Sequence, residues 1–331
     1  MQYNTAKSPT RPAFLITVDT EGDDLWAQPD EITTENARYL PRFQALCEKY
    51  ALKPTWLVNY EMGVCPAFVE FAQDVIKRGT GEIGMHLHAW NSPPLAPLTD
   101  NDSRHQPYLI EYSETVMLDK IRFLTDLLEE RFERKMLSHR AGRWGFNAVY
   151  AQILVEHGYL VDCSVTPHIS WAEYPGDPKG AGGSDFTNFP ELPYFVDLNQ
   201  IDRPGDSPLL EVPVSIVETF WAPIVACKPI KGSKFLQRIS RRFMPNILEM
   251  APRDNKRRFR YMQTIMRHAL AHRRPCLVLA THSSELMPGG SPFFPTAKSI
   301  ERLYDRLEIL FATAAKDFQG MTLSEFRKRI R

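Results

Sequence analysis

In the stretch 82–90 a short apolar run ends in two histidines at alternate positions, His86 and His88. In an extended strand, residues i and i+2 share a face, so the two imidazoles leave the strand end side by side. Neutral imidazole is the commonest nitrogen ligand of a divalent metal, and zinc accepts it at about 2.0–2.1 Å, so the pair is half of a metal site. Other apolar runs end in ionisable residues too: Asp19 and Glu21 follow the first, Arg140 and Arg143 the fourth, Asp162 the fifth and His282 the last. Taken singly, each has a plain reading as a helix cap, a turn residue or a hydrogen-bonded core group. His105, His139, His157, His168, His268 and His272 are left with that plain reading. Recurrence on separate strands is harder to explain by solvated turns alone.

These residues need a scaffold that brings strand ends together. The continuous apolar, β-branched run 13–19 reads as a strand buried on both faces, and 54–58, the histidine stretch within 82–90, 135–140, 159–164, 209–214 and 275–282 read as further strands. Helical periodicity fills 33–50, 66–78, 111–134, 146–157, 296–316 and 323–330. Strand, polar loop and helix thus alternate, which predicts an α/β fold: a distorted parallel (β/α) barrel of about seven strands with helices outside. In such barrels the loops after the strands face one shared mouth, where reactive groups gather. No convincing linker divides the chain, so 1–331 is expected to form a single catalytic domain with its motif core at 13–285. Two irregular segments rich in Pro, Gly, Asn and Asp, 91–110 and 165–207, are expected as insertions that shape a substrate cleft. A basic helical segment covers 228–274, and the C-terminal helices cover 296–330.

With 331 residues and 43% hydrophobic content the chain can bury a full core, which excludes a disordered protein. Lys plus Arg and Asp plus Glu both number 40, so no overall charge draws it to nucleic acid. The basic stretch 228–274 reads first as a solvated helical face and second as a weak contact with anionic membrane or phosphate groups. Five cysteines, widely spaced and without a CxxC, suit buried thiols in a reducing compartment. No signal-peptide pattern and no apolar run of about 20 residues is present, so a cytoplasmic protein is expected.

The strand-end motifs, in their order, resemble those of the polysaccharide deacetylases, the NodB-homology carbohydrate esterases. They are Thr17-Val18-Asp19-Thr20-Glu21, Glu82-Ile83-Gly84-Met85-His86, Arg140-Ala141-Gly142-Arg143-Trp144-Gly145, Val161-Asp162-Cys163-Ser164 and Leu279-Ala280-Thr281-His282-Ser283-Ser284-Glu285. The resemblance implies metal-dependent removal of an acetyl group, N-acetyl first, from a sugar or glycan intermediate. Carried over residue by residue, it makes Asp19 the general base, Arg140 the group that orients it and His282 the general acid. Glu21, His86 and His88 become the ligands of a divalent metal, zinc before others, and Trp90, Arg143, Trp144, Asp162 and Glu285 become substrate-binding residues. The sequence departs from the family pattern at Thr20, where the commonest form has an aspartate, and at Trp90, where it has the second histidine. If His88 turns into the site it serves in that place, and if it does not, the site is weakened or metal-free. Two other readings stay open: an allantoinase-like or imidase-like hydrolase of a non-peptide C–N bond, with or without metal, and a glycan-binding protein that has lost catalysis.

Overall fold

In the computed structural model, described over residues 11–219 and 247–330, the chain builds a curled, mostly parallel sheet wrapped by helices. The strands are β1 (Ala13–Thr20), β2 (Pro54–Val58), β3 (Glu82–Leu87), β4 (Ser138–Ala141), β5 (Val161–Asp162), β6 (Tyr194–Phe195), β7 (Leu210–Glu211), β8 (Ile216–Glu218), β9 (Ile247–Glu249), β10 (Cys276–His282) and β11 (Gln319–Met321). The sheet runs β10-β1-β2-β3-β4-β5-β7-β6, parallel from β10 to β7, with β6 antiparallel and β11 added beside the first residues of β1. Among the described residues β7 and β10 do not pair with each other, and the sheet ends at β6 and β10. Instead β8 and β9 form a separate antiparallel pair between them, with Val278 N donating to Ser215 Oγ at 2.8 Å and Ala280 N to Met250 O at 3.1 Å. The result is the predicted distorted barrel.

Helices α1 (Leu40–Lys49), α2 (Pro66–Arg78), α3 (Glu114–Phe132), α4 (Ala148–Glu156), α5 (Lys256–Ala271), α6 (Ala297–Asp317) and α7 (Leu323–Ile330) are joined by single turns at Tyr60–Gly63 and Asp102–His105. Their ends follow ordinary capping chemistry: Ser113, Asn147, Asn255 and Thr296 each accept a backbone N–H of the first turn, and Gly79 ends α2 with φ 64°. The alternation along β1 separates two apolar layers. Phe14, Ile16 and Val18 pack outward against the helices, whereas Ala13 and Leu15 join Leu57, Val161, Leu210, Val278 and the α7 residues Leu323 and Phe326 in an inner cluster. Further along the same inner face come Thr17 and Asp19, where the core becomes polar.

Some expected elements differ. The helix expected over 33–50 splits into a 3₁₀ stretch, Glu35–Tyr39, and α1, which carries Pro41 near its start. Residues 165–207, expected to be irregular, contribute β6, and the short β11 falls between the two C-terminal helices. In the basic segment 228–274 the described part forms β9 and α5, and the remainder lies outside the described residues, as does Cys227. Cys47, Cys163 and Cys276 are buried free thiols, as expected of core filler, and Cys65 is partly buried. Among the described residues no helix is long and apolar enough to cross a membrane.

Candidate active site

Strand register assembles the site. Asp19 lies opposite His282 across β1 and β10, and His86 lies opposite Arg140 across β3 and β4. Thr17 and Asp19 share the inner face of β1, and the fully buried Arg140 reaches over to both. Its Nη1 donates to Asp19 Oδ1 at 2.6 Å, Nη2 to Thr17 Oγ1 at 2.8 Å and Nε to Cys163 O at 3.0 Å. Burial alone would raise the Asp19 pKa, but the Arg140 guanidinium, followed by His86 and His282, holds it below the usual carboxylate range. Asp19 is therefore an ionised carboxylate with one oxygen tied to Arg140. The other, Oδ2, lies 3.8 Å from His282 Nε2.

Glu21, His86 and His88 converge beside this pair, with one donor atom from each inside a 4.8 Å circle. Glu21 Oε2 is 3.6 Å from His86 Nε2 and 3.3 Å from His88 Nε2, and the two nitrogens are 2.9 Å apart. Ligands held about 2.0–2.1 Å from a tetrahedral ion stand about 3.3–3.4 Å from one another, so the donor set and its spacing fit a small divalent cation. His86 Nδ1 meets the Arg140 carbonyl at 2.9 Å, which makes that nitrogen the N–H and leaves Nε2 its lone pair. His88 Nδ1 has no hydrogen-bond partner among the described residues, and its ring is held instead by stacking on Trp90, 4.3 Å between centroids at 20°. Trp90 thus backs the His88 ring rather than reaching the donor cluster itself. Burial and then the charge of His86 depress the His88 pKa well below the ordinary imidazole value, which keeps that ring a neutral donor. A Cβ on Gly142 would lie 2.6 Å from His88 Cδ2, so glycine there makes room for the ring.

His282 ends β10 and is oriented from behind. Glu285 Oε1 stands 3.6 Å from His282 Nδ1, its Oε2 accepts from Thr281 Oγ1 at 2.6 Å, and Arg253 Nη1 donates to Oε1 at 2.9 Å. Against the effect of burial, Glu21, Glu285 and Asp19 together raise the His282 pKa to about 9, so the ring carries a proton at neutral pH. Glu285 itself is fully buried behind His282 and outside the cavity lining, so its place is that of an orienting group. Asp162 also turns away: it is fully buried, with Oδ1 2.6 Å from His139 Nδ1 and also accepting from Ser164 Oγ at 2.9 Å. Its neighbour Glu211 is pushed well above the usual range by burial and by Asp162, so a protonated carboxyl completes that network.

Asp19, Glu21, His86, His88 and His282 border one cavity of about 430 Å³, within the ~300–1,000 Å³ usual for small-molecule sites. Trp90, Arg143 and Trp144 line it, Arg143 stacking over Tyr108 at 4.2 Å. Arg143 and Trp144 have φ of 52° and 64°, a left-handed turn that brings both into the wall. Residues 106 and 108 from the first insertion, and 166, 169, 171 and 174 from the second, complete it. Sequence reasoning missed Trp26 and Arg253. Trp26 stands edge-on to His282 at 4.9 Å, on a single turn with no periodicity to flag it.

No family model and no curated protein matches the sequence. Solved structures do match. A protein from Parabacteroides distasonis, assigned as a glycoside hydrolase/deacetylase, aligns with TM-score 0.62 at 9% identity, over 98% of this chain and 72% of that one. A protein from Mycobacterium smegmatis assigned as a polysaccharide deacetylase aligns with TM-score 0.53 at 15% identity, over 98% and 94%. The 4-alpha-glucanotransferase of Thermococcus litoralis aligns with TM-score 0.50 at 14% identity, over 96% of this chain and 38% of that one. Likenesses at such identity speak to architecture, and a glucanotransferase among them means that the chemistry must be argued from the site. The chain has the NodB-homology fold, the distorted (β/α) barrel of the polysaccharide deacetylases.

Proposed function

We propose that the protein is a metal-dependent hydrolase that removes an acetyl group, N-acetyl in the first instance, from a sugar or glycan intermediate. The observation that carries this reading is the convergence, in one aromatic-walled cavity, of a three-donor cluster, an ionised Asp19 and a protonated His282. Glu21, His86 and His88 would hold the ion, zinc by the chemistry of one carboxylate and two imidazoles. Bound there, zinc supplies a Lewis acid for an acyl oxygen and brings the pKa of water to about 7.

The rest is work for the chain's own residues. Asp19 Oδ2, free of Arg140, takes the proton of the attacking water. Arg140 keeps that carboxylate ionised and fixes its plane through its bonds to Asp19, Thr17 and the Cys163 carbonyl. His282 gives its Nε2 proton to the departing amine nitrogen, with Glu285 and Arg253 holding the ring in place. Trp90, Trp144 and Trp171 offer faces for a sugar ring. Arg143 is committed to the carbonyls of His105 and Gln106 and so shapes the wall more than it offers a free charge.

The experiment is a substrate panel for zinc-loaded protein: N-acetylated and O-acetylated hexosamines beside a cyclic imide and allantoin. Acetate release from the N-acetyl sugars is expected. Turnover confined to the imide or allantoin would replace this reading with the C–N hydrolase alternative, and binding of sugars without any turnover would favour the glycan-binding one.

A further inference from the structure

The three metal donors come from two strands that do not touch. Glu21 follows β1, His86 and His88 belong to the end of β3, and β2 pairs between them. A carboxylate outside the cavity lining links the two loops directly. Glu61 stands on the single turn Tyr60–Gly63 that follows β2, and its Oε1 accepts from Gly22 N, just beyond Glu21, at 3.0 Å and from Asn59 Nδ2 at 2.6 Å. Its Oε2 accepts from Asn91 Nδ2, just beyond Trp90, at 2.8 Å. Each loop is also fixed locally. On the β1 side Glu21 N donates to Ser283 Oγ at 3.1 Å, Glu21 O accepts from Asn36 Nδ2 at 2.9 Å, and Asn59 N donates to Thr20 O at 3.1 Å. On the β3 side Ser92 N donates to His88 O at 3.2 Å, and the buried Lys120 of α3 donates its Nζ to Ser92 O and Pro94 O at 2.6 and 2.8 Å. With both loops held in this way, the two oxygens of Glu61 set one against the other.

Resting on the reading of Glu21, His86 and His88 as a metal cluster, we propose that Glu61 is a positioning residue for that cluster. By bridging the loops after β1 and β3 it keeps the Glu21 carboxylate within reach of an ion held by the two imidazoles. A displacement of one loop against the other moves Glu21 out of a ligand sphere only about 2.0–2.1 Å in radius. Groups that support metal ligands from behind are worth about 10–100-fold in affinity. What the bridge needs is reach, not charge. A glutamine keeps the length: its carbonyl oxygen can accept from Gly22 and Asn59, and its amide nitrogen can donate to Asn91 Oδ1 once that amide turns over. Asn91 Oδ1 has no hydrogen-bond partner among the described residues, so the turn costs it nothing. An aspartate keeps the charge but is one methylene shorter and cannot span both loops.

The test measures zinc affinity of the full-length protein by competition with a chromophoric chelator, in wild type, Glu61→Ala, Glu61→Asp and Glu61→Gln, with urea midpoints of the metal-free proteins to verify that each is folded. The zinc Kd should rise about 10–100-fold in Glu61→Ala and Glu61→Asp and stay within about threefold in Glu61→Gln. The visible spectrum of cobalt-loaded protein should change in the first two variants and not in the third. Asn91→Ala cuts the same bridge at its other end, so it should weaken zinc as well, and combining it with Glu61→Ala should add less than about threefold. Should Glu61→Ala fail to fold, Asn91→Ala and Glu61→Gln decide the matter by the same criteria. Zinc affinity unchanged in Glu61→Ala or Asn91→Ala, a loss in Glu61→Gln equal to that in Glu61→Ala, or losses that multiply in the double variant overturn the proposal and leave the metal cluster standing. A wild-type protein that binds no zinc overturns both.

Discussion

Arg140 and Asp19 are joined by a 2.6 Å hydrogen bond although their strands, β4 and β1, are separated in the sheet by β2 and β3. The bond crosses the barrel interior, and both side chains are buried, Asp19 meeting only the cavity. A carboxylate this enclosed stays ionised only because a permanent cation faces it, so the pair sets the charge state of the site.

Replacing Asp19 by Asn tests that role. The amide keeps the shape and removes the charge, leaving Arg140 buried without a counter-ion. A stability loss of about 3–5 kcal/mol is expected from breaking such a pair, read by urea denaturation. Turnover should fall by about 10²–10⁴, the usual worth of a general base, while bound zinc measured by elemental analysis stays close to one per chain. Loss of zinc in this variant would make Asp19 a ligand.

Glu285→Gln removes one of the charges that hold the His282 proton but keeps a side chain able to bond Thr281. The alkaline limb of kcat/KM should move to lower pH, with KM for the sugar little changed. An unmoved limb would mean that Glu285 does not tune the acid.

The His282 pKa, raised to about 9 from an ordinary 6.5, also makes metal-free protein sensitive to alkali. The folded state binds this proton more tightly than the unfolded chain, so the stabilisation is complete below pH 6.5 and is lost as pH rises through 9. Urea midpoints at pH 6, 7.5 and 9.5 should decline accordingly, and the decline should flatten in His282→Gln.

Gly142→Ala addresses the second histidine. The added Cβ would meet His88 Cδ2 at 2.6 Å and the Leu87 carbonyl at 2.4 Å. Overpacking of this kind costs about 1–3 kcal/mol. Zinc affinity should fall with it, because the ring is pushed off the Glu21 and His86 donors, and titration against a competing chelator would show the change.

What the sequence made legible is whatever strand periodicity carries. Asp19, His86 and Arg140 lie on strands whose register is set by buried apolar runs, and His282 is in register with Asp19. Periodicity also placed Asp162 at a strand end but could not say which way it turns. In a strand buried on both faces an acid can point inward to His139 as readily as toward a mouth, so its expected place beside the substrate differs from where the structure puts it. Glu285 shows the same limit: three residues beyond His282, it folds under the ring as its support. Trp26 and Arg253 were illegible for another reason. One sits on an isolated turn between two left-handed residues, Asp24 and Gln28, and the other follows the two-stranded β8–β9 pair, which stands apart from the main sheet. Both are placed by tertiary closure.

A metal held by Glu21, His86 and His88 is proposed here as the group on which hydrolysis depends. Its most direct test is acetate release from an N-acetylated hexosamine by protein stripped with a chelator and then titrated with zinc. Activity should vanish on stripping and return in proportion to zinc, saturating at one equivalent per chain. Full activity in metal-free protein would contradict the account.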